Sequence, residues 1–355
     1  MPGSRLVRVW RWGIRLLAVA YLIGLLAAIA GMRWVGDAWW PTIALLYLPR
    51  WGFALPLPFL TGALLIDRAW RWLLTQLVAL ALVVFLMGPH LSLSRSGARA
   101  ATAGLPSFKV VTFNINGARA GLDNIAAHLR SVAPDVIALQ EAGHEDAGAW
   151  RERLPGYQVE KSGQFVLASR FPIEDRFEPP PITHDGRQRT RRFQRYRIAT
   201  PGGSIYLYNV HPISPREAFD DLRGEGLGHE IASGRVLRPA TDEVTSAAAL
   251  RAQQLEAVVD DAARSTLPVI IAGDTNLPEQ SRTLARVFKD YRDAFADVGS
   301  GFGYTFPLRK GGPWMRIDRI FAGPRLRFLD ARVIPGKVSD HLPVIATVQP
   351  VPPAR

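Results

Sequence analysis

The apolar positions divide the chain into two parts with different periods. Before residue 90 the hydrophobic residues run together without alternation. Gly13 to Met32 carries only the charge of Arg15, and at about 1.5 Å per residue it is long enough to cross a bilayer core of about 30 Å. Trp72 to Pro89 carries no charge. Between them, Ala38 to Ile66 is apolar but broken by Pro49-Arg50, Pro56 and Pro58. It reads as one irregular span over 51–66 with an interfacial aromatic segment over 38–48 at Trp39-Trp40, and a pair of short re-entrant pieces is the alternative. The expectation is a transmembrane region over residues 1–89 with about three spans, at 13–32, 51–66 and 72–89. Successive hydrophobic segments do not fit a cleavable signal peptide.

After residue 90 the pattern turns mixed. Residues 90–106, rich in Ser, Ala and Gly, read as a flexible linker. From 107 to 350, apolar and β-branched runs predict strands at 108–113, 135–139, 164–169, 193–199, 204–210, 268–272, 317–322 and 343–348, alternating with helical stretches. The clearest helix is expected to start at Thr241 as N-cap, with Asp242 and Glu243 in its first turn. Val244, Ala248, Leu255, Val258, Val259 and Ala262 follow at helical spacing. This is an α/β domain with helices over a layered β structure, large enough to bury its own core. Residues 351–355 are a tail.

Charge sharpens the division. The formal net charge is +12, which suggests a nucleic-acid or membrane partner, but residues 1–106 hold +8 of it and the rest only +4. Arg5, Arg8, Arg11 and Arg15 precede the first span, and Arg68 and Arg71 lie between the second and third. The positive-inside rule puts both groups in the cytoplasm, so three crossings leave the second domain extracytoplasmic, and an even number would leave it cytoplasmic. The chain has no Cys, which fits either compartment.

The candidate chemistry sits at strand ends. Predicted strands lead into Asn114, into Gln140-Glu141, into Asn209 and His211, into Gly273-Asp274-Thr275-Asn276 and into Ser339-Asp340-His341. A Gly-Asp-X-Asn turn alone is loop chemistry, but four other polar clusters at the ends of apolar runs point to a site. Carboxylate and amide oxygens suit a hard cation such as Mg²⁺, and the His spacing offers no zinc motif. A metal beside His and Asp can clamp a phosphoryl oxygen and position water, which points to phosphate-ester hydrolysis.

The series Val111-Thr-Phe-Asn114, Leu139-Gln140-Glu141, Tyr208-Asn209-Val-His211-Pro, Gly273-Asp274-Thr-Asn276, Arg316-Ile-Asp318-Arg319 and Ser339-Asp340-His341 resembles the endonuclease/exonuclease/phosphatase superfamily, in order, from about Lys109 to Val348. The resemblance implies a four-layered α/β sandwich of two stacked mixed β-sheets. It implies Glu141 as principal metal ligand with Asn114 beside it and Asp340 near the metal, and Mg²⁺, replaceable by Mn²⁺, as cofactor. Asp274 would activate water, Asn276 hold the phosphoryl group, His341 contact it with Asp318 fixing the tautomer, and His211 face it supported by Asn209. Arg319 stands where Tyr or His is common and could add a phosphate contact, whereas Thr275 is expected to be neutral.

Other residues have plainer readings. Asn116 and Gly117 are turn formers, and His128, His144, His184 and His229 are read as solvent-facing or loop residues. Asp123, Asp135 and Asp293 are caps or loop acids. Six Arg between 187 and 197 are a solvated strand edge, or else a surface for phosphate-rich lipid or nucleic acid. The expectation is a multi-pass, membrane-anchored phosphodiesterase acting on a lipid head group or nucleic acid, with no obligate protein partner. A phosphomonoesterase of the same fold is an alternative. A silent phosphate-binding receptor is another, disfavoured because it would not need the full acid, amide and imidazole set.

Overall fold

The computed structural model describes residues 3–90, 104–215, 238–308 and 312–351. Most of the expected linker, His229 and residues 352–355 lie outside them. The chain forms two compact units, the first of Met1–Pro89 with Gln280–Arg282 and the second of His90–Glu279 with Thr283–Arg355.

The first unit is helical. Its long helices are α1 (Gly3–Ala30), α2 (Trp40–Tyr47), α3 (Pro56–Ile66) and α4 (Leu73–Met87). Val7–Ala38 and Trp70–Met87 are long and apolar enough to cross a membrane, and the pair Trp40–Tyr47 and Arg50–Ile66, bent by 95°, could be a third span. Two to three apolar N-terminal helices could therefore span a bilayer. Pro at the start of both α2 and α3 suits their first turns, where the missing N–H costs nothing. The break between them is closed by Arg50, which is buried and donates to the Leu45 and Leu46 carbonyls at 2.9 and 2.7 Å. Asp67 is paired with Arg11 at 2.7 Å and with Arg15 at 3.3 Å.

The second unit stacks two six-stranded mixed sheets. The strands are β1 (Phe108–Asn114), β2 (Val136–Gln140), β3 (Gln158–Ser162), β4 (Phe165–Ser169), β5 (Ile173–Phe177), β6 (Ile182–His184), β7 (Arg187–Arg189), β8 (Phe193–Thr200), β9 (Gly203–Val210), β10 (Val269–Asp274), β11 (Arg292–Asp293), β12 (Asp318–Ala322), β13 (Leu326–Val333) and β14 (Val344–Pro350). One sheet has the order β13-β14-β1-β2-β4-β3, the other β11-β12-β10-β9-β8-β5, and β6 and β7 form a separate hairpin. In each sheet a central strand has a parallel neighbour on one side and an antiparallel one on the other. These are β1 between β2 and β14, and β10 between β9 and β12.

Strand alternation builds the layers. Phe108 and Val110 of β1 meet Ile270 and Ala272 of β10 between the sheets. Val111 and Phe113 point the other way, against α5 (Leu122–Arg130) and Trp150 of α6 (Ala147–Arg153). On the far side, Tyr208, Ile271 and Phe321 pack under Leu255 and Val258 of α7 (Arg238–Ala263) and Leu284 of α8 (Arg282–Val287). A last short helix, α9 (Ala294–Val298), follows β11. The result is the four-layered α/β sandwich.

Local expectations need correction in two places. Helix α7 begins at Arg238, so Thr241 lies inside it rather than capping it, and Asp242 and Glu243 follow the first turn. His184 is buried, its ring nitrogens 2.9 Å from Gln253 Oε1 and 3.0 Å from Ser246 Oγ, because hairpin β6–β7 folds back on α7.

Candidate active site

The inner face of each central strand changes from apolar to polar along its length. In β1 the inward positions run Phe108, Val110, Thr112, Asn114; in β2 Val136, Ala138, Gln140; in β10 Ile270, Ala272, Asp274. In β9 and its exit they run Ile205, Leu207, Asn209, His211. In antiparallel β12 the order reverses, so Asp318 lies opposite Asp274. A period of two thus carries the apolar core and the polar groups on one face.

A first polar layer ties the sheets together. Gln140 Nε2 donates to Asn209 Oδ1 at 2.7 Å and Asn209 Nδ2 to the Leu139 carbonyl at 3.0 Å. Asn209, read from sequence as support for His211, is spent wholly on this bridge, since its side chain is on the β9 face that the opposite sheet covers.

Above that layer lies a cluster of one imidazole and two carboxylates. His341 Nδ1 is 2.9 Å from Asp318 Oδ2, and its Nε2 is 3.7 Å from Asp274 Oδ2. All three side chains are buried. Phe306 covers the imidazole, ring centroids 4.4 Å apart. Ser339 Oγ donates to the Asn114 carbonyl at 2.8 Å and accepts from the His341 amide at 3.2 Å, so the His341 loop is anchored to the end of β1.

Charge follows from burial and neighbours. Burial alone would lower the His341 pKa, but Asp318 and then Asp274 outweigh it and push it up to about 9. Burial first, then the Asp318 carboxylate, pushes the Asp274 carboxyl up to about 7. Burial, helped by Arg192 and His341, lowers His211 to about 3, so its ring is neutral.

The oxygens of Asp274 are individually held. Oδ1 accepts from the Asn276 amide at 2.8 Å and Oδ2 from Asn114 Nδ2 at 3.2 Å. Asn276, in a left-handed backbone conformation (φ 52°), also donates its Nδ2 to the Pro212 carbonyl at 3.1 Å. Gly273 is required by crowding. A Cβ there would come within 1.9 Å of the Val210 carbonyl oxygen of the parallel neighbour β9. Thr275 pins the same turn to β12, its N–H and Oγ1 donating to the Ile317 carbonyl at 2.9 and 2.8 Å.

Glu141, also left-handed (φ 54°), receives Asn114 Nδ2 at Oε1, 2.9 Å away. Asn114 Oδ1 accepts from the Asn116 amide at 3.0 Å, while its Nδ2 joins the two carboxylates. His211 Nδ1 faces Gln164 Oε1 at 2.5 Å, leaving Nε2 as an acceptor 3.7 Å from both Glu141 Oε1 and Asp274 Oδ2.

Two candidates stand apart. Asp340, half-exposed, contributes to the raised pKa of His341, and its backbone carbonyl accepts from the Leu308 amide at 2.7 Å. Arg319 does not face the site, because alternation turns it to the opposite face of β12 from Asp318. There it is buried, 2.6 Å from Asp293 Oδ2 and 3.1 Å from Glu279 Oε2. Arg316 joins the same two acids. Burial would raise the Asp293 carboxyl, but Arg316 and Arg319 hold it well below the usual carboxylate range. Asp293 is therefore more than a cap: it caps α9, accepting from Phe295 N at 3.0 Å, and anchors two arginines. Sequence reading missed this network, although Arg316 and Arg319 flank Asp318 in its motif, because their partners Glu279 and Asp293 are distant in sequence, and it missed Gln164.

The donor set fits a hard divalent cation. Among the described residues, donor atoms of Asp274, Asp318 and His341 converge within 4.8 Å, though His341 Nδ1 is taken up by Asp318, and the two acids push its pKa up, which favours the protonated ring over ligation. A second set is Glu141 with Asp274 and His211, two carboxylates whose facing oxygens both lie 3.7 Å from His211 Nε2 and share the Asn114 amide nitrogen as donor. Carboxylate-dominated sets of this kind suit Mg²⁺ or Mn²⁺.

An α/β sandwich with acids, amides and two imidazoles at the mouth of its inter-sheet core is the architecture of a phosphoester hydrolase. The chain belongs to the Endonuclease/Exonuclease/phosphatase family, whose family model matches residues 111–341. Among solved structures, the endonuclease/exonuclease/phosphatase from Bacteroides vulgatus is 17% identical, with 69% of this chain and 100% of that chain covered and a TM-score of 0.50. Truncated Caenorhabditis elegans TDP2 is 19% identical (69% and 98% covered, TM-score 0.49). Bacteroides thetaiotaomicron VPI-5482 mannosyl-6-phosphatase Bt3783 is 17% identical (68% and 99%, 0.48). At these identities the likeness is one of fold alone. No curated protein matches the chain.

Proposed function

We propose that the chain is a membrane-anchored, divalent-metal-dependent phosphoesterase that hydrolyses a phosphodiester, of a lipid head group or nucleic acid, by in-line attack of water on phosphorus. The observation that carries this reading is the buried line Asp318, His341, Asp274, with contacts of 2.9 and 3.7 Å. Asp274, its pKa pushed up to about 7, is matched to removing a proton from water near neutral pH. Asn276 and Asn114 fix its two oxygens in direction. His341, kept protonated, offers Nε2–H to a phosphoryl oxygen as negative charge develops there, and Asp318 holds the ring in place. Glu141, with Asp274 and His211, would hold Mg²⁺ or Mn²⁺, which supplies charge neutralisation at the phosphoryl oxygens.

The N-terminal helices are read as a multi-pass anchor with the hydrolase domain outside the cytoplasm. The pairing of Asp67 with Arg11 and Arg15 supports this by joining the start of α1 to the turn between α3 and α4, so that both basic clusters share one end. Anchoring to a bilayer raises the effective concentration of lipid substrate, which favours lipid.

Full-length protein in detergent micelles is expected to hydrolyse bis-p-nitrophenyl phosphate with Mg²⁺ or Mn²⁺ and to stop in EDTA; activity indifferent to EDTA would reject the metal-dependent reading. A reporter fused after residue 355 tests sidedness. Alkaline phosphatase activity without green fluorescence is expected, and the reverse result rejects the outside placement.

A further inference from the structure

Helices α3 and α4 leave an apolar groove of about 930 Å³ between them, a volume at the large end for ligand sites. Leu65 and Leu73 line it where the two helices meet their connecting turn, and Leu57 and Leu80 line it further along. The groove therefore starts at the turn and runs about 10 Å along α4, at about 1.5 Å per residue. Among the described residues, Thr61 and Gln76 are its only polar lining.

Gly62 keeps the groove open. It lines the groove from inside α3, where glycine weakens a helix relative to alanine. A Cβ there would meet nothing within 4 Å, so no neighbour demands the small residue, and what the missing side chain preserves is the space itself.

The turn at the mouth of the groove carries charge that the protein does not use up. Asp67 is already paired with Arg11 and Arg15 of α1, and Arg15 also lies over Trp72, 6.0 Å from the ring centroid. Arg8 precedes them at helical spacing and shares their face. Arg68 and Arg71 are exposed, and their guanidinium groups have no partner among the described residues. Five arginines, 8, 11, 15, 68 and 71, thus stand against one engaged acid. Exposed Trp70 beside them is an aromatic of the kind found at head-group level.

The backbone at Arg68 is a second sign. Helix α3 closes with the Ala69 amide donating to the Leu64 carbonyl at 2.9 Å and the Arg68 amide to the Leu65 carbonyl at 3.0 Å, a closure whose left-handed position ordinarily holds glycine. Arg68 occupies it with φ 52°, a conformation that arginine adopts at a cost.

We infer that this groove is a binding site for an anionic phospholipid, with an acyl chain laid between α3 and α4 and the phosphate held by Arg68 and Arg71. The inference rests on the membrane-anchor reading above, which puts this turn in the cytoplasm, where the leaflet surface is anionic. Charge selects the occupant. Guanidinium groups match phosphate oxygens in geometry and charge, whereas a second copy packed into the groove in the same membrane orientation would bring the same excess of arginine to the same depth.

The test is native mass spectrometry of full-length protein in detergent micelles, titrated with palmitoyl-oleoyl phosphatidylglycerol and, separately, with palmitoyl-oleoyl phosphatidylcholine. A single phosphatidylglycerol per chain is expected, bound about tenfold or more tightly than phosphatidylcholine, the scale of two arginines acting at an anionic surface. Arg68→Gln combined with Arg71→Gln is expected to bring the two lipids level, and Gly62→Leu to expel the lipid by filling the groove, neither lowering the melting temperature. Equal binding of the two lipids, a preference that survives the double Gln variant, or lipid retained in Gly62→Leu would overturn the inference. A dimer that comes apart in Gly62→Leu would also overturn it, giving the groove to a second copy. Flotation with phosphatidylcholine vesicles in carbonate tests the anchor separately. A protein that prefers phosphatidylglycerol yet does not float sinks the anchor reading alone, and one that floats without the preference sinks the lipid site alone.

Discussion

His341 Nδ1 stands 2.9 Å from Asp318 Oδ2, and this carboxylate, with Asp274, pushes the pKa of the buried imidazole up to about 9. The protonated form is the one proposed to serve catalysis, so activity is expected to fall as pH rises through about 9. Removing the carboxylate in Asp318→Asn removes the largest influence raising that pKa. The alkaline limb of the kcat/KM profile should therefore move to lower pH, and a limb that stays in place would detach His341 from the pH dependence.

The same shift predicts a stability change in metal-free protein. The folded-state pKa of His341 lies above the ordinary value of 6.5, so its stabilisation is complete below 6.5 and is lost as pH rises through about 9. Melting temperature in EDTA should decline across that window, and the decline should shrink in His341→Gln.

Asn114 joins Glu141 and Asp274 through one amide nitrogen, at 2.9 and 3.2 Å. Orienting groups of this kind affect metal affinity or activity by about 10- to 100-fold. Asn114→Ala is expected to lower turnover within that range, and Glu141→Gln to raise the Mg²⁺ concentration needed for half-maximal rate. Titration of activity against Mg²⁺ in both variants checks this, with an unchanged requirement in Glu141→Gln as the contrary result.

Gly273 has no room for a methyl group, since its Cβ would sit 1.9 Å from the Val210 oxygen. Gly273→Ala must push β9 from β10 at the point where they position His211 and Asp274. A stability loss of about 1–3 kcal/mol is expected from forced overpacking, together with loss of activity. Denaturant melts of wild type and variant give the comparison.

Arg319 is assigned to structure and not to substrate. Asp293→Ala leaves Arg316 and Arg319 facing a lost partner, and breaking a buried ion network of this type costs about 3–5 kcal/mol. Arg319→Met should destabilise less and leave KM nearly unchanged in the molecules that fold. A large rise in KM with normal stability would restore the phosphate-contact role.

The reach of the sequence reading follows from where each strand lies. All eight predicted strands are interior to the two sheets: β14, β1, β2 and β4 in one, β12, β10, β9 and β8 in the other. The four edge strands, β3, β5, β11 and β13, escaped notice. Half-covered edges such as Ile173–Phe177, with its run Glu174-Asp175-Arg176, carry the charges that discourage further pairing and so lose the apolar signature. At the site, strand-end motifs brought together Asn114, Glu141, His211, Asp274, Asp318 and His341: period-two alternation carries Asn114, His211, Asp274 and Asp318 to one face, and Glu141 and His341 reach it from the turns beyond β2 and before β14. The same alternation, left unapplied to the neighbour of Asp318, assigned Arg319 to substrate. Gln164 and Glu279 were illegible because their partners, His211 and Arg319, are distant in sequence and only the fold supplies them.

The central claim is that Asp274 and His341 act together in phosphoester hydrolysis, and it is tested most directly by turnover of bis-p-nitrophenyl phosphate by full-length Asp274→Asn and His341→Gln proteins in Mg²⁺. Both variants are expected to fold, shown by melting curves, and to lose activity by about 10²-fold or more, in line with removal of a general base or a charged donor. Wild-type turnover in either folded variant would contradict the account.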